Sequence, residues 1–203
     1  MDIYLIRHGE TDYNVNGIIQ GGGVDSSINQ KGQKQANAFY SYYQDVSFDF
    51  VFTSGLKRTQ QTVKPFLELG IPTQAWREID EMNWGIHEGQ PFAEWMREGY
   101  TNMIAEWDKG NLDAKLEEGE SAYELISRLS IFVNHLKALD HNTILVCSHG
   151  RAMRGLMSVI KEEHPREMEK YRHSNTGLYK MKMVEQRFIV ELENDTRHLE
   201  GLL

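Results

Sequence analysis

One cysteine in 203 residues, Cys147, excludes an internal disulfide and any four-cysteine metal framework, and points to a reducing compartment. Four prolines and no low-complexity tract exclude proline-rich and collagen-like chains. Long apolar runs are missing too. No stretch approaches the roughly 20 residues needed to span a bilayer, and Met1 to Ile6 is too short for a signal-peptide core and is followed at once by Arg7. These absences predict a cytoplasmic protein with no membrane partner. Basic residues are in deficit, with 22 Lys and Arg against 30 Asp and Glu for a net charge of −8, which argues against nucleic acid spread over the surface. An anionic ligand therefore requires a local exception to that charge. What is present, 40% hydrophobic and 26% charged residues, is the composition of a globular chain, and the length suits one domain, residues 1–203.

Three short runs are apolar without alternation: Ile3-Tyr4-Leu5-Ile6, Phe50-Val51-Phe52 and Ile144-Leu145-Val146-Cys147. Such runs read as strands covered on both faces, as in a largely parallel sheet. Helical segments alternate with them. Ser121 and Glu124 form a capping box ahead of Leu125, Ile126, Leu129, Phe132, Val133 and Leu136 at helical spacing. A second helix follows Asn29 with Ala36, Phe39, Tyr40 and Tyr43 as its stripe, a third covers about Leu56 to Leu67, and a fourth Ala152 to Ile160. Leu178 to Val184 and Arg187 to Leu192 alternate loosely around Glu185-Gln186, as a hairpin does. The expectation is an α/β domain with a mixed, mostly parallel sheet.

The chemistry sits where the apolar runs stop. The first ends in Arg7-His8-Gly9-Glu10-Thr11, the second in Thr53-Ser54 with Arg58 a helical turn later, and the third in Ser148-His149-Gly150. Carboxyl ends of parallel strands form the ligand crevice of α/β sheets. Guanidinium groups repel a metal ion but match phosphate oxygens, so two His with two Arg predict a phosphoryl site without a metal. There an imidazole can attack phosphorus while Arg7, Arg58 and a protonated His149 meet the charge on the oxygens. The leaving group needs a proton, and Glu78, Asp80 and Glu81 lie in one loop-like acidic cluster. The residues alone leave the choice among these three acids open.

These motifs resemble the histidine phosphatase superfamily, which includes phosphoglycerate mutases. Arg7 to Thr11 with Asn14, Thr53 to Thr62, Glu81-Met82-Asn83-Trp84-Gly85 through Gly89, and Cys147 to Gly150 fall in that family's order. The resemblance implies a three-layer α/β/α sandwich with no metal or organic cofactor. It implies His8 as phosphohistidine nucleophile, Arg7, Arg58 and His149 as phosphoryl ligands, and Glu81 as proton donor. Asn14, Gln20 and Gly150 complete the implied substrate-binding set. Three departures stand out: Gly21-Gly22-Gly23 in the ligand loop, where a flexible turn is expected; His87 at a position frequently aromatic; and Arg151, read either as a charge at the pocket mouth or as a solvent-facing side chain.

His135, His141, His164, His173 and His198 are read as surface or structural. All four tryptophans lie between residues 76 and 107. Phe92, Trp95, Met96, Met103 and Trp107 recur at near-helical spacing, which predicts a helical insertion at about 90–118 packed on the core; the alternative is a cap whose aromatic wall selects an apolar leaving group. Residues 90–118 hold three basic residues, Arg97, Lys109 and Lys115, with no adjacent arginines, among seven acids. Mutases of the family it resembles carry extra basic residues here, including adjacent arginines, so the resemblance implies a phosphatase acting on a small phosphorylated metabolite rather than a mutase, with a non-catalytic phospholigand binder as the third reading.

Overall fold

The computed structural model describes residues 1–202. Six strands form one sheet in the order β3-β2-β4-β1-β5-β6: β1 (Asp2–Arg7), β2 (Phe50–Thr53), β3 (Thr73–Ala75), β4 (Thr143–Ser148), β5 (Leu178–Val184) and β6 (Arg187–Asp195). The first four are mutually parallel, while β5 runs antiparallel to β1 and pairs with β6 as the expected hairpin.

Side chains alternate across each strand, so every apolar run feeds two cores. On one face Ile3, Leu5, Ile144 and Val146 pack with Leu125, Leu129 and Phe132 of α5 (Ala122–Ala138) and with Met153 and Leu156 of α6 (Gly150–Ile160). On the other, Tyr4, Ile6, Val51, Leu145 and Cys147 pack with Phe39 and Tyr43 of α2 (Gln30–Tyr43) and with Val63 and Phe66 of α3 (Lys57–Leu67). This is the three-layer sandwich. Burying each such side chain stabilises the fold by roughly 1.5 to 3 kcal/mol before chain entropy is set against it.

The capping box at Ser121 and Glu124 is formed, and Asn29 caps α2 through the Gly32 N–H. Two elements lie outside the sequence expectation. β3 is three exposed residues with no apolar run, and α1 (Asp12–Val15) is a single turn begun by reciprocal bonds between Thr11 and Asn14. Within 90–118 the helix is α4 (Glu94–Asp108). Met96, Met103 and Trp107 are buried, but Phe92 is 43% and Trp95 63% exposed, so core packing accounts for only part of the aromatic stripe. No helix among the described residues is long and apolar enough to cross a membrane.

Candidate active site

The parallel strands β1, β2 and β4 deliver Arg7, Thr53 and Ser148 to one edge of the sheet. Because β5 is antiparallel to β1, with Ile6 opposite Leu178, the residues just before β5 reach the same edge. The Thr176 N–H bonds the Arg7 carbonyl at 3.0 Å.

His8 is buried and clamped through its backbone. Its N–H donates to the Ser148 carbonyl at 3.0 Å, and its carbonyl accepts from Asn175 Nδ2 at 3.0 Å. The next N–H, of Gly9, donates to Thr62 Oγ1 at 2.9 Å, and that hydroxyl donates to the Arg58 carbonyl at 2.7 Å. A Cβ at Gly9 would fall 2.7 Å from the Gly32 carbonyl oxygen, so the loop sits directly on the start of α2. The ring Nδ1 lies 2.7 Å from the Gly9 carbonyl oxygen. A carbonyl can only accept, so Nδ1 carries the proton and the lone pair is on Nε2. Burial, then the Arg7 and Arg58 charges, hold the His8 pKa well below 6.5, and the ring is neutral at neutral pH.

The His149 ring centroid lies 5.2 Å from that of His8. Arg58 Nε donates to His149 Nδ1 at 3.0 Å, which places the His149 proton on Nε2, 2.7 Å from Ser54 Oγ. Ser54 Oγ lies 3.0 Å from Thr59 Oγ1, whose hydroxyl reaches the Leu56 carbonyl. The expected protonated His149 is therefore corrected. Burial and the neighbouring Arg58 and His8 hold its pKa well below 6.5, and its Nδ1 is an acceptor. Arg58 is fully buried; besides His149 it bonds the Val24 and Gly21 carbonyls at 2.6 and 3.3 Å.

Arg7 donates to the His173 carbonyl at 3.0 Å, while its Nε is buried without a protein partner. Burial pushes its pKa down to about 10, so it remains a cation at neutral pH. His173, read from sequence as surface or structural, borders the site: a Cβ at Gly150 would fall 2.9 Å from its ring. Burial, then Arg7 and Arg154, push the His173 pKa down to about 3. Asn14 joins the group indirectly, its Oδ1 accepting from Asn175 Nδ2 at 3.3 Å and from the Thr11 N–H. Gln20 instead takes a bond from Ser26 and faces a neighbouring cavity. Arg7, His8, Arg58, His149 and Gly150 thus gather at one point. Ser54 and Thr62, which lie inside the Thr53 to Thr62 motif without being singled out by it, support them, as do Asn175 and His173, which lie in no motif.

Of the three acids, Glu81 is the one built into this edge. α6 begins at His149 without a side-chain cap of its own, and the Glu81 carboxylate supplies one from outside, accepting the N–H groups of Arg151 (3.1 Å) and Ala152 (2.9 Å), and that of Met82. Its charge acts on both Arg7 and Arg58. Asp80 bonds the Gly55 N–H, and burial raises its pKa. The Glu78 and Asp80 carbonyls are tied to Arg128, which pairs with Glu120.

The glycine stretch is no flexible turn. A Cβ at Gly21 would fall 1.8 Å from Glu88 Oε1, and one at Gly22 would fall 2.9 Å from the Glu81 carbonyl oxygen. The Glu88 carboxylate bridges the Gly23 and Trp84 N–H groups at 2.8 and 2.9 Å, locking ligand loop to acid loop. Neither expectation for Arg151 describes its place. It is buried, paired with Glu169 and Tyr100, with the rings of Trp84 and Trp107 at 5.5 and 5.7 Å. Among the described residues no three His, Cys, Asp or Glu side chains gather to suit a metal ion.

The sequence matches the histidine phosphatase superfamily (branch 1) over residues 3–196. Phosphatase PhoE of Bacillus subtilis is 28% identical over 99% of this chain and 98% of its own. Human 6-phosphofructo-2-kinase/fructose-2,6-bisphosphatase 1 is 31% identical over 168 residues, 82% of this chain, which spans about a third (34%) of that longer protein. The alpha-ribazole phosphatase of Shigella flexneri superposes with a TM-score of 0.85 at 25% identity, covering 96% of both chains. Motif order, sheet topology and these likenesses agree: the chain belongs to the histidine phosphatase superfamily.

Proposed function

We propose that the protein is a phosphomonoester phosphatase working through a phosphohistidine on His8. The observation that carries this reading is the neutral His8 ring, its Nδ1 proton held by the Gly9 carbonyl and its Nε2 lone pair uncommitted, with Arg7 and Arg58 charged beside it. Nε2 attacks phosphorus, the bond from phosphorus to the ester oxygen breaks, and Glu81 in its acid form protonates the departing alkoxide. Water then attacks the phosphohistidine and gives a proton to the Glu81 carboxylate. The P–N bond breaks, inorganic phosphate leaves, and His8 is restored. Arg58 and the Arg7 Nε, which has no protein partner, meet the charge on the phosphoryl oxygens.

Quenching the reaction with a radiolabelled phosphomonoester tests this. The wild type traps acid-labile phosphate on the protein and His8→Ala does not. Phosphate release from His8→Ala at the wild-type rate would overturn the covalent route, and unlabelled protein that binds the ester without turnover would make it a binder. Sustained isomerisation of 3-phosphoglycerate without phosphate release would make it a mutase.

A further inference from the structure

A cavity of about 290 Å³ opens beside the phosphoryl site, walled by Ile19, Trp84, His87, Phe92, Met96 and Tyr100. It adjoins the site through both of its loops. Gln20 on its wall precedes Gly21, whose carbonyl holds Arg58, and Trp84 is tied through Glu88 to Gly23. No lysine or arginine lines it. Two guanidinium groups that flank the wall's rings are already paired, Arg151 with Glu169 behind Trp84 and Tyr100, and Arg97 with Glu94 beyond the Phe92 ring. A carboxylate or second phosphate placed here would lose water and meet no lysine or arginine of the wall.

The wall is apolar, and Phe92 leaves 43% of its surface exposed at the rim. His87 is the exception in kind: the residue is only 7% exposed, and its Nδ1 is buried with no protein partner. A cavity of roughly 150 Å³ accepts a benzene ring, so this one has room for about twice that. We propose that this cavity holds the leaving group, and that the preferred substrates are phosphomonoesters of alcohols carrying an uncharged, flat apolar group of one or two fused rings, lodged against Trp84, Phe92 and His87. The proposal rests on the phosphatase reading above.

Three alkyl esters test it: 2-naphthylmethyl phosphate, ethyl phosphate and phosphoserine. Their leaving oxygens are all alkoxides, so differences in kcat/KM report mainly what the rest of the leaving group contacts. The naphthylmethyl ester exceeds the other two by about tenfold or more, and Phe92→Ala cuts its ratio to ethyl phosphate by about tenfold. That ratio does not move when a variant is merely less well folded. Equal kcat/KM for ethyl phosphate, or a preference for phosphoserine, overturns the proposal and leaves the phosphatase reading intact. Should none of the three release phosphate, that reading fails by itself. The cavity is then judged by binding of naphthylmethylphosphonate, whose C–P bond this chemistry does not cleave, followed by tryptophan fluorescence. Binding tighter than ethylphosphonate, and weakened in Phe92→Ala, supports the cavity's role; no such preference overturns it.

Discussion

Thr62→Val removes one oxygen and keeps the shape of the side chain. In the native protein that oxygen accepts from the Gly9 N–H at 2.9 Å and donates to the Arg58 carbonyl at 2.7 Å. Both Thr62 and Gly9 are buried, so no water replaces the acceptor. An orphaned buried N–H costs about 1 to 3 kcal/mol. The Arg58 carbonyl keeps its helical partner, and losing the second bond costs about 1 kcal/mol. The sum is a destabilisation of about 2 to 4 kcal/mol, readable as a lower midpoint in urea at unchanged slope. Activity falls as well, because the Gly9 carbonyl fixes the His8 ring and a displaced peptide tilts the nucleophile; misplacement by 1 Å can cost roughly 100-fold. Thr62→Ser keeps both bonds and retains kcat within about threefold, at a stability cost of about 1 kcal/mol for the lost methyl. A Val variant as stable and as active as wild type would refute the idea that this hydroxyl holds the histidine loop.

Glu81→Gln slows hydrolysis of alkyl phosphates by about 100-fold or more and that of p-nitrophenyl phosphate far less, since p-nitrophenolate departs without a proton; equal slowing of both would deny Glu81 the proton-donor role. Four histidines have depressed pKa values, His8 and His149 well below 6.5, His173 at about 3 and His198 at about 4, all with burial as the first cause. Below pH 6.5 the unfolded chain therefore binds more protons than the native one, and stability falls as pH drops toward about 4. At pH 5.5 His173 and His198 account for roughly 1.4 kcal/mol each, about 3 kcal/mol together, with His8 and His149 acting in the same direction, and denaturant titrations at pH 7.5 and 5.5 that gave equal stabilities would contradict it. Gly21→Ala drives a methyl into Glu88 Oε1, which can withdraw only by releasing Gly23 and Trp84, so a cost of about 1 to 3 kcal/mol and a fall in Tm of roughly 3 to 10 °C are expected by calorimetry; an unchanged Tm would mean the two loops are not locked.

The strands β1, β2 and β4 and the helix α5 were legible because each announces itself over a few consecutive residues, by an unbroken apolar run or by a capping box. β3 was not, since three exposed residues at a sheet edge carry no pattern. At the site, Arg7, His8, Arg58 and His149 could be read because strand ends and motifs mark them. His173 and Asn175 lie more than 160 residues from the groups they bond, and single-residue context says nothing at that range. A signal did exist: a hairpin strand pairing antiparallel to β1 must begin where β1 ends, which puts residues 173–177 at the histidine edge. Arg151 and the glycines were misjudged for another reason. Their surroundings, Glu169, the Trp84 and Trp107 rings and Glu88, come from distant segments, and locally a helix-start Arg or a glycine run looks solvent-bound. The protonation of His149 depended likewise on which atom of Arg58 it meets.

Arg58 spends three of its five N–H groups on the protein, one each on His149, Val24 and Gly21, which leaves one free on each terminal nitrogen. A side chain of that length carries about 2 kcal/mol of rotamer entropy, and here it is surrendered when the chain folds. An arriving anion therefore meets a fork already aimed, and what it gains from the charge is not diminished by having to still a moving arm.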